Sequence, residues 1–295
     1  MNESQWPGVS PDKRRAWSRL GQAPPAGLVE ARLQAHYACQ FVSAFGEAYI
    51  RRREDFSHLG MTLGNTRHAL LSGVALGPRR VRMAMDFPRF ELYALEPGGE
   101  YTALDRFNLM GATLESVSKW MRRTAARFGF DPETLRLDFA GLPEHPLRRG
   151  GAFSYNGGEA DMEELGRYFF NAAAIMSQVC SSITGCSLIH VWPGHFDINA
   201  IYSFVDNPGA KHTIGIGLCP GDAYLAEPYF YANIFPPPDS SLLPAAPAPG
   251  IWRKEGRWTG TALSASEIVK LSGADEQMAL TEKFLAESVA ILRRM

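Results

Sequence analysis

An α+β fold is what this sequence predicts. It reads as two similar halves, each a helix, then antiparallel strands, then a helix. The halves are related by a pseudo-twofold axis and the sheets are covered by helices. Three observations carry this. Leu33, Tyr37, Phe41, Phe45 and Tyr49 recur every four residues, the stripe of a helix with one buried face. Val81, Met83 and Met85 alternate with Arg80, Arg82 and Ala84, the period of a half-exposed strand. The order helix, strands, helix then recurs roughly 130 residues later, as an ancient duplication would leave it.

Residues 1–27 are polar and Pro-rich and read as a loose arm. The first half spans 28–130. Its first helix is expected over about 28–50, closed by Arg51–Arg53, whose positive charge suits a helix C-terminus. Strand-like runs follow at FSHLGMTL, RRVRMAMDF and RFELYAL, the last ended by Gly98-Gly99. A helix over about 113–128 has Thr113 as N-cap and Gly129 just past its end. Residues 131–160 form the connector.

The second half spans 161–295. Its helix runs over about 162–183, with Leu165, Phe169, Ala172, Ile175, Met176 and Val179 inward. The strand-like runs are CSLIHVW, HFDINAIYSFV, HTIGIGL and EPYFYANIF, with a turn at Asp206-Asn207-Pro208-Gly209. Residues 236–258 read as a long Pro-rich surface loop. Helical segments follow at 264–272, where Ser264 and Glu267 have capping-box spacing, and at 275–293.

The bulk numbers bound the function. The chain has 295 residues, 45% apolar, with 30 basic and 31 acidic side chains. That is enough to bury a core, and the near-neutral charge argues against a nucleic-acid binder that neutralises phosphates. No run is apolar and long enough to span a membrane, and no secretory signal is visible. Cys39, Cys180, Cys186 and Cys219 form no CxxC pair. A soluble cytoplasmic protein with reduced thiols is therefore expected. There is no GxGxxG, phosphate loop, HExxH or GxSxG motif, so the sequence assigns no cofactor.

Chemistry is best sought in IHVWPGHFDINA, 189–200. Pro193-Gly194 breaks a strand that would resume at His195, placing His195, Asp197 and Asn199 on one face. A carboxylate beside an imidazole orients it and raises its basicity, as a general base needs. The same pair could supply two metal ligands, with a third from His190, Asp222 or Glu227. Plain structural hydrogen bonding is the competing reading, and His190 among aliphatic residues reads as a satisfied core histidine. The second polar stretch is 215–235. Gly215 and Gly217 share one strand face and let a ring or ligand come close. Asp222 and Glu227 flank Tyr224, and Tyr229 and Tyr231 alternate along the next strand. This is either a pocket with tyrosine walls and a carboxylate rim or an aromatic core with a polar turn. Cys219 reads as an inert thiol.

These segments resemble a family of uncharacterised bacterial proteins, a domain of unknown function. The family carries His-x-x-Trp-Gly-Ser-Phe-Asp-Leu-Ala, then Trp-Pro-Gly, then Phe-Tyr-x-Tyr-x-Tyr-Pro. Here His190, Gly194, Phe196 and Asp197 match in spacing. Pro220-Gly221 matches the turn, and Tyr229 to Tyr231 through Pro236 resembles the strand. His195 stands where the family has serine, and the tryptophan is shifted to Trp192. The resemblance implies no activity; it marks the second half as the informative one.

The expected function is binding of a small polar molecule, or acid–base chemistry of hydrolase or isomerase type on one. His190, His195, Asp197, Asp222 and Glu227 are the candidate catalytic groups, and Trp192, Tyr224, Tyr229 and Tyr231 the candidate ligand-binding ones. The residues themselves do not assign a reaction. The alternatives are a protein that associates through the Pro-rich loop and an exposed Trp252 and Trp258, including a homo-oligomer, and a metal-binding protein.

Overall fold

The computed structural model describes residues 17–64, 68–98, 102–154, 158–205, 209–239, 241 and 243–295. The first long helix, α1, spans Val29–Tyr49. Six strands follow: β1 Thr62–Leu63, β2 Ala69–Leu71, β3 Ala75–Leu76, β4 Arg80–Asp86, β5 Glu91–Glu96 and β6 Thr102–Asn108. Helix α2 is Leu114–Arg127 and α3 is Glu159–Ser181. The second set is β7 His190–Val191, β8 Ile198–Val205, β9 Lys211–Cys219, β10 Tyr229–Phe235, β11 Ile251–Glu255 and β12 Trp258–Ser264. Helices α4 (Ala265–Ile268) and α5 (Ala274–Leu292) complete the chain.

Both sheets are antiparallel, so the fold is α+β as the sequence predicts. The first runs β1-β2-β4-β5-β6, with β3 also on β4, and the second runs β11-β12-β10-β9-β8-β7. They meet edge to edge at one bridge, where Met61 N–H donates to Val191 O (2.9 Å) and Val191 N–H to Met61 O (2.8 Å). Helix, strands, helix is thus the observed order of both halves. The second sheet is covered on one face by α3 and α5. That face carries Ile198, Ala200, Ile214, Ile216, Leu218, Phe230, Ala232 and Leu263, all essentially inaccessible. They belong to one apolar cluster that also takes in Phe41, Met85, Leu92 and Trp120 from the first half.

The expected ends of α2 hold. Thr113 Oγ1 accepts from Ser116 N–H and Ser116 Oγ accepts from Thr113 N–H, a reciprocal cap. Gly129 (φ 84°) takes the left-handed conformation just past the C-terminus.

Several expectations are corrected. Residues 17–27 are not a loose arm. Trp17 and Leu20 are buried, and Trp17 Nε1–H and Leu20 N–H both donate to Gln277 Oε1 on α5. Residues 1–16 lie outside the described residues, as do Gly99 and 206–208 of the two expected turns. FSHLGMTL is strand only at its end; residues 56–59 form a turn with Leu59 N–H on Phe56 O. β2, β3 and β6 escaped the sequence reading because they are short or lack clean alternation. The Pro-rich stretch is a loop only to about Gly250: β11 and β12 follow and pair as a hairpin. Cys180 and Cys186 form a disulfide, against the expectation of four reduced thiols; Cys39 and Cys219 are free and buried. Among the described residues, no helix is long and apolar enough to cross a membrane.

Candidate functional site

The 189–200 stretch folds as a tight hairpin, and its tip corrects the expected register. The strand resumes at Ile198, not at His195. Trp192 N–H donates to Asp197 O (2.9 Å) and Phe196 N–H to Trp192 O (2.9 Å), closing a turn over 193–196. Phe196 takes a left-handed backbone (φ 54°), a strained choice for a bulky residue. Its ring is fully buried, stacks on His36 of α1 (5.4 Å) and lies tilted against Phe169 of α3 (5.0 Å), which offsets the strain. The side chain that follows Gly194 is therefore thrown outward: His195 is exposed and does not share a row with Asp197.

Asp197 is 9% exposed and is held by neutral donors rather than by an imidazole. Tyr231 Oη donates to Asp197 Oδ2 (2.6 Å), and so does Asn199 Nδ2 (2.8 Å). Trp192 Nε1–H donates to Asn199 Oδ1 (3.0 Å), extending the chain along β7. His190 lies beyond Trp192, tilted against it at 5.5 Å, with its ring packed on the backbone of Gly60 at the seam between the sheets. Burial depresses its pKa, so it is a neutral, enclosed imidazole.

A second network lies one row along. Asp222 Oδ1 accepts the backbone N–H groups of Tyr224 and Leu225 (both 2.9 Å), and its Oδ2 accepts from Tyr229 Oη (2.7 Å). Arg253 Nη2 of β11 stands 3.9 Å from Asp222 Oδ1. Its guanidinium lies over the rings of Tyr229 (4.9 Å) and Tyr224 (5.5 Å). The two networks touch, because Cys219 pairs with Tyr229 across the β9–β10 ladder and Gly217 with Tyr231. A Cβ on Gly217 would sit 2.8 Å from Tyr231 Oη, so the ring that the glycine admits is the protein's own. Burial raises the pKa of Tyr229 and of Tyr231, and their carboxylate neighbours raise it further. Both phenols are therefore protonated donors. Burial pushes the Cys219 thiol up to about 12, so it is uncharged and a poor nucleophile at neutral pH.

The structure thus brings together Trp192, Asp197, Tyr231, Tyr229, Asp222 and Tyr224 from the predicted set. Glu227 is directed elsewhere: it accepts from Ser266 N–H (3.1 Å) and Ser266 Oγ at the start of α4. His195 is exposed and His190 is buried against Trp192, and neither hydrogen-bonds Asp197 among the described residues. Trp258 is not exposed but half-buried against Tyr231 (6.0 Å), and Trp252 is half-buried with Nε1–H on Pro244 O (2.6 Å).

Three partners were missed by sequence reasoning: Arg32, His36 and Arg253. His36 Nε2 meets Pro193 O at 2.7 Å, and Gln40 Nε2–H donates to the same oxygen at 2.8 Å. Burial lowers the His36 pKa to about 4, helped by the charge of Arg32 and the proximity of His195. The signal was present in the sequence: Arg32, His36 and Gln40 form a polar i, i+4, i+8 stripe on an otherwise apolar helix. Arg253 carried no signal, because only the β11–β12 pairing sets it across from Gly260 on the open face.

Chemically, the arrangement offers oriented phenol and indole donors, two carboxylates already hydrogen-bonded, and two guanidiniums. Among the described residues no group of three or more His, Cys, Asp or Glu side chains is arranged to hold a metal ion. No family model, curated protein or solved structure matches this chain.

Proposed function

We propose that the open face of the second sheet binds a small polar molecule. One observation carries this reading. On the face turned away from the helices the floor is Asn233 of β10, partly buried between Gly215 of β9 and Gly260 of β12, with no hydrogen bond to its side-chain amide among the described residues. Asn199, Tyr231, Trp258 and Arg253 surround that floor. The glycines let Asn233 and Tyr231 lie close on the sheet, and a partly exposed amide with unused donor and acceptor groups beside aromatic walls is what a small polar ligand pairs with.

Acid–base chemistry is the weaker form of the proposal. Asp197 Oδ2 is taken by Tyr231 and Asn199, so a His195–Asp197 base would require that carboxylate to change partners. Kinship with the uncharacterised bacterial family belongs to the same reading, because its matching residues His190, Gly194, Phe196 and Asp197 build the hairpin that carries the network. The test is a screen of neutral sugars, amides and nucleosides by amide and indole NMR. Perturbations clustered on Asn199, Asn233, Tyr231 and Trp258 are expected. Perturbations that fall elsewhere, or none at millimolar ligand, would remove the proposal.

A second reading is favoured by one observation. Leu188, Ile201, Val205, Phe235 and Ile251 are exposed along the same face. That strip would suit a second copy of this chain, and light scattering after size exclusion reads it directly: a strict monomer at high concentration ends it.

A further inference from the structure

Asp222 is approached by two guanidiniums from separate elements. Arg253 reaches it along the open face, its side chain only 15% exposed. Arg32 comes from α1 past the end of the sheet; its Nη1 would lie 3.1 Å from a Cβ on Gly221, and Asp222 and Cys219 are its electrostatic neighbours. Arg253 is thus in ion-pair range of the Asp222 carboxylate, while Arg32 lies against Gly221 of the same turn and forms no ion pair with Asp222 among the described residues. That carboxylate is already occupied by two backbone N–H groups and a phenol.

The consequence is a surplus of donors. Arg32 Nε and Arg253 Nη1 are both buried and neither has a hydrogen-bond partner. Buried polar groups are paired in the great majority of cases, and a guanidinium N–H left without an acceptor is costly. Two such orphans, from arginines that meet the same turn at Gly221 and at Asp222, call for an acceptor from outside the chain. The outer cover here is Tyr224, a residue 65% exposed, whose ring rests on Arg253 from the turn that Asp222 caps.

We infer that Arg32 and Arg253 receive the anionic group of a small molecule, a carboxylate or a phosphate, seated between α1 and the 220–226 turn beneath Tyr224. This goes beyond the ligand reading above: the anion site lies at the 220–226 turn, apart from the Asn233 floor, and Arg253 borders both. Guanidinium forks pair with planar or tetrahedral oxyanions through parallel N–H···O bonds, which a lysine pair would not do.

The experiment titrates the full chain separately with sodium phosphate and sodium succinate at constant ionic strength. It follows the arginine Nε–Hε signals and the melting temperature. Saturable, one-site perturbation of the Arg32 signal by at least one anion is expected, and the arm that saturates tells phosphate from carboxylate. Arg253→Gln and Arg32→Gln should each weaken binding about tenfold or more. Asp222→Asn removes the resident competitor and should strengthen it several-fold, so the inference stays open to refutation if an arginine variant fails to fold. Two outcomes overturn it: no saturation by either anion in the wild-type chain, or affinity unchanged in all three variants. If neutral ligands still perturb Asn199 and Asn233 while neither anion touches the arginines, the anion is wrong and the open-face site survives. If nothing binds, both fall.

Discussion

On the helix side of β8, β9 and β10 the side chains are Ile198, Ala200, Ile214, Ile216, Leu218, Phe230, Ala232 and Ile234, all buried in the main apolar cluster. On the other side the same strands, with the hairpin residue just before β8, present Asp197, Asn199, Gly215, Gly217, Cys219, Tyr229, Tyr231 and Asn233. The first face obeys a packing rule: apolar, volume-filling and matched to α3 and α5. The second obeys a bonding rule: side chains reach across strands to one another, and glycines are kept where a Cβ would collide with a ring or a carbonyl. Stability is concentrated in the first face, while the second is kept polar at a cost that packing alone does not explain.

The comparison can be broken at several points. The largest effect is expected from Phe230→Ala on the packed face. A fully buried phenylalanine lost to a cavity costs about 3–5 kcal/mol, read as a fall in the urea midpoint. A cost near zero would mean that the helix layer does not carry the fold.

Acid should act next, through the joint between α1 and the hairpin tip. His36 is neutral in the fold with a pKa of about 4, while in the unfolded chain it titrates at its ordinary value. Between those two values the unfolded chain binds more protons, so stability falls as pH drops through that window and is fully present above it. The loss reaches about 3 kcal/mol at most. Urea midpoints at neutral pH and near pH 4.5 measure it. His36→Gln, which can still donate to Pro193 O, should flatten the difference.

Tyr231→Phe probes the bonding rule. It leaves Asp197 with Asn199 alone and should cost about 1–3 kcal/mol, as for a buried hydrogen bond to a charged group. The matched control is Tyr202→Phe on the packed face, whose ring stacks on Phe204, and it is expected within about 0.5 kcal/mol of wild type. Equal effects would erase the distinction between the faces. The smallest change is Ile201→Ser, on an exposed position of the open face, also within about 0.5 kcal/mol. It should leave stability alone and reduce any self-association.

How far the sequence was readable varies with the range of the interaction. The Thr113 cap and Gly129 are local in sequence and stand where their spacing puts them; of the α1 stripe Tyr37, Phe41 and Phe45 are buried while Leu33 and Tyr49 are only partly so, because the middle of the helix is enclosed on every side rather than along one face. The alternation of Ile214, Ile216 and Leu218 against Gly215 and Gly217 is also local and holds along β9. The hairpin tip defeated the same logic, because alternation assumes an unbroken strand. The left-handed Phe196 resets the phase, and it is stabilised by Phe169 and His36, neither of which is near in sequence. Of the candidate site, the carboxylates and tyrosines were legible as types. Their partners were not: the Tyr231–Asp197 bond joins residues 34 apart, and Arg32 meets the turn at Gly221 from α1.

By itself the sequence determined the α+β class, the helices and the polar character of 189–200 and 215–235. Those follow from periodicity and from local backbone preferences, which act over a few residues. Tertiary packing set which imidazole meets which carbonyl, that Asp197 bonds to phenol and amide rather than to histidine, and that Arg32 and Arg253 both come to the 220–226 turn. Such pairings depend on strand register and layer packing, and these are set by the burial of the whole apolar cluster rather than by any short stretch within it.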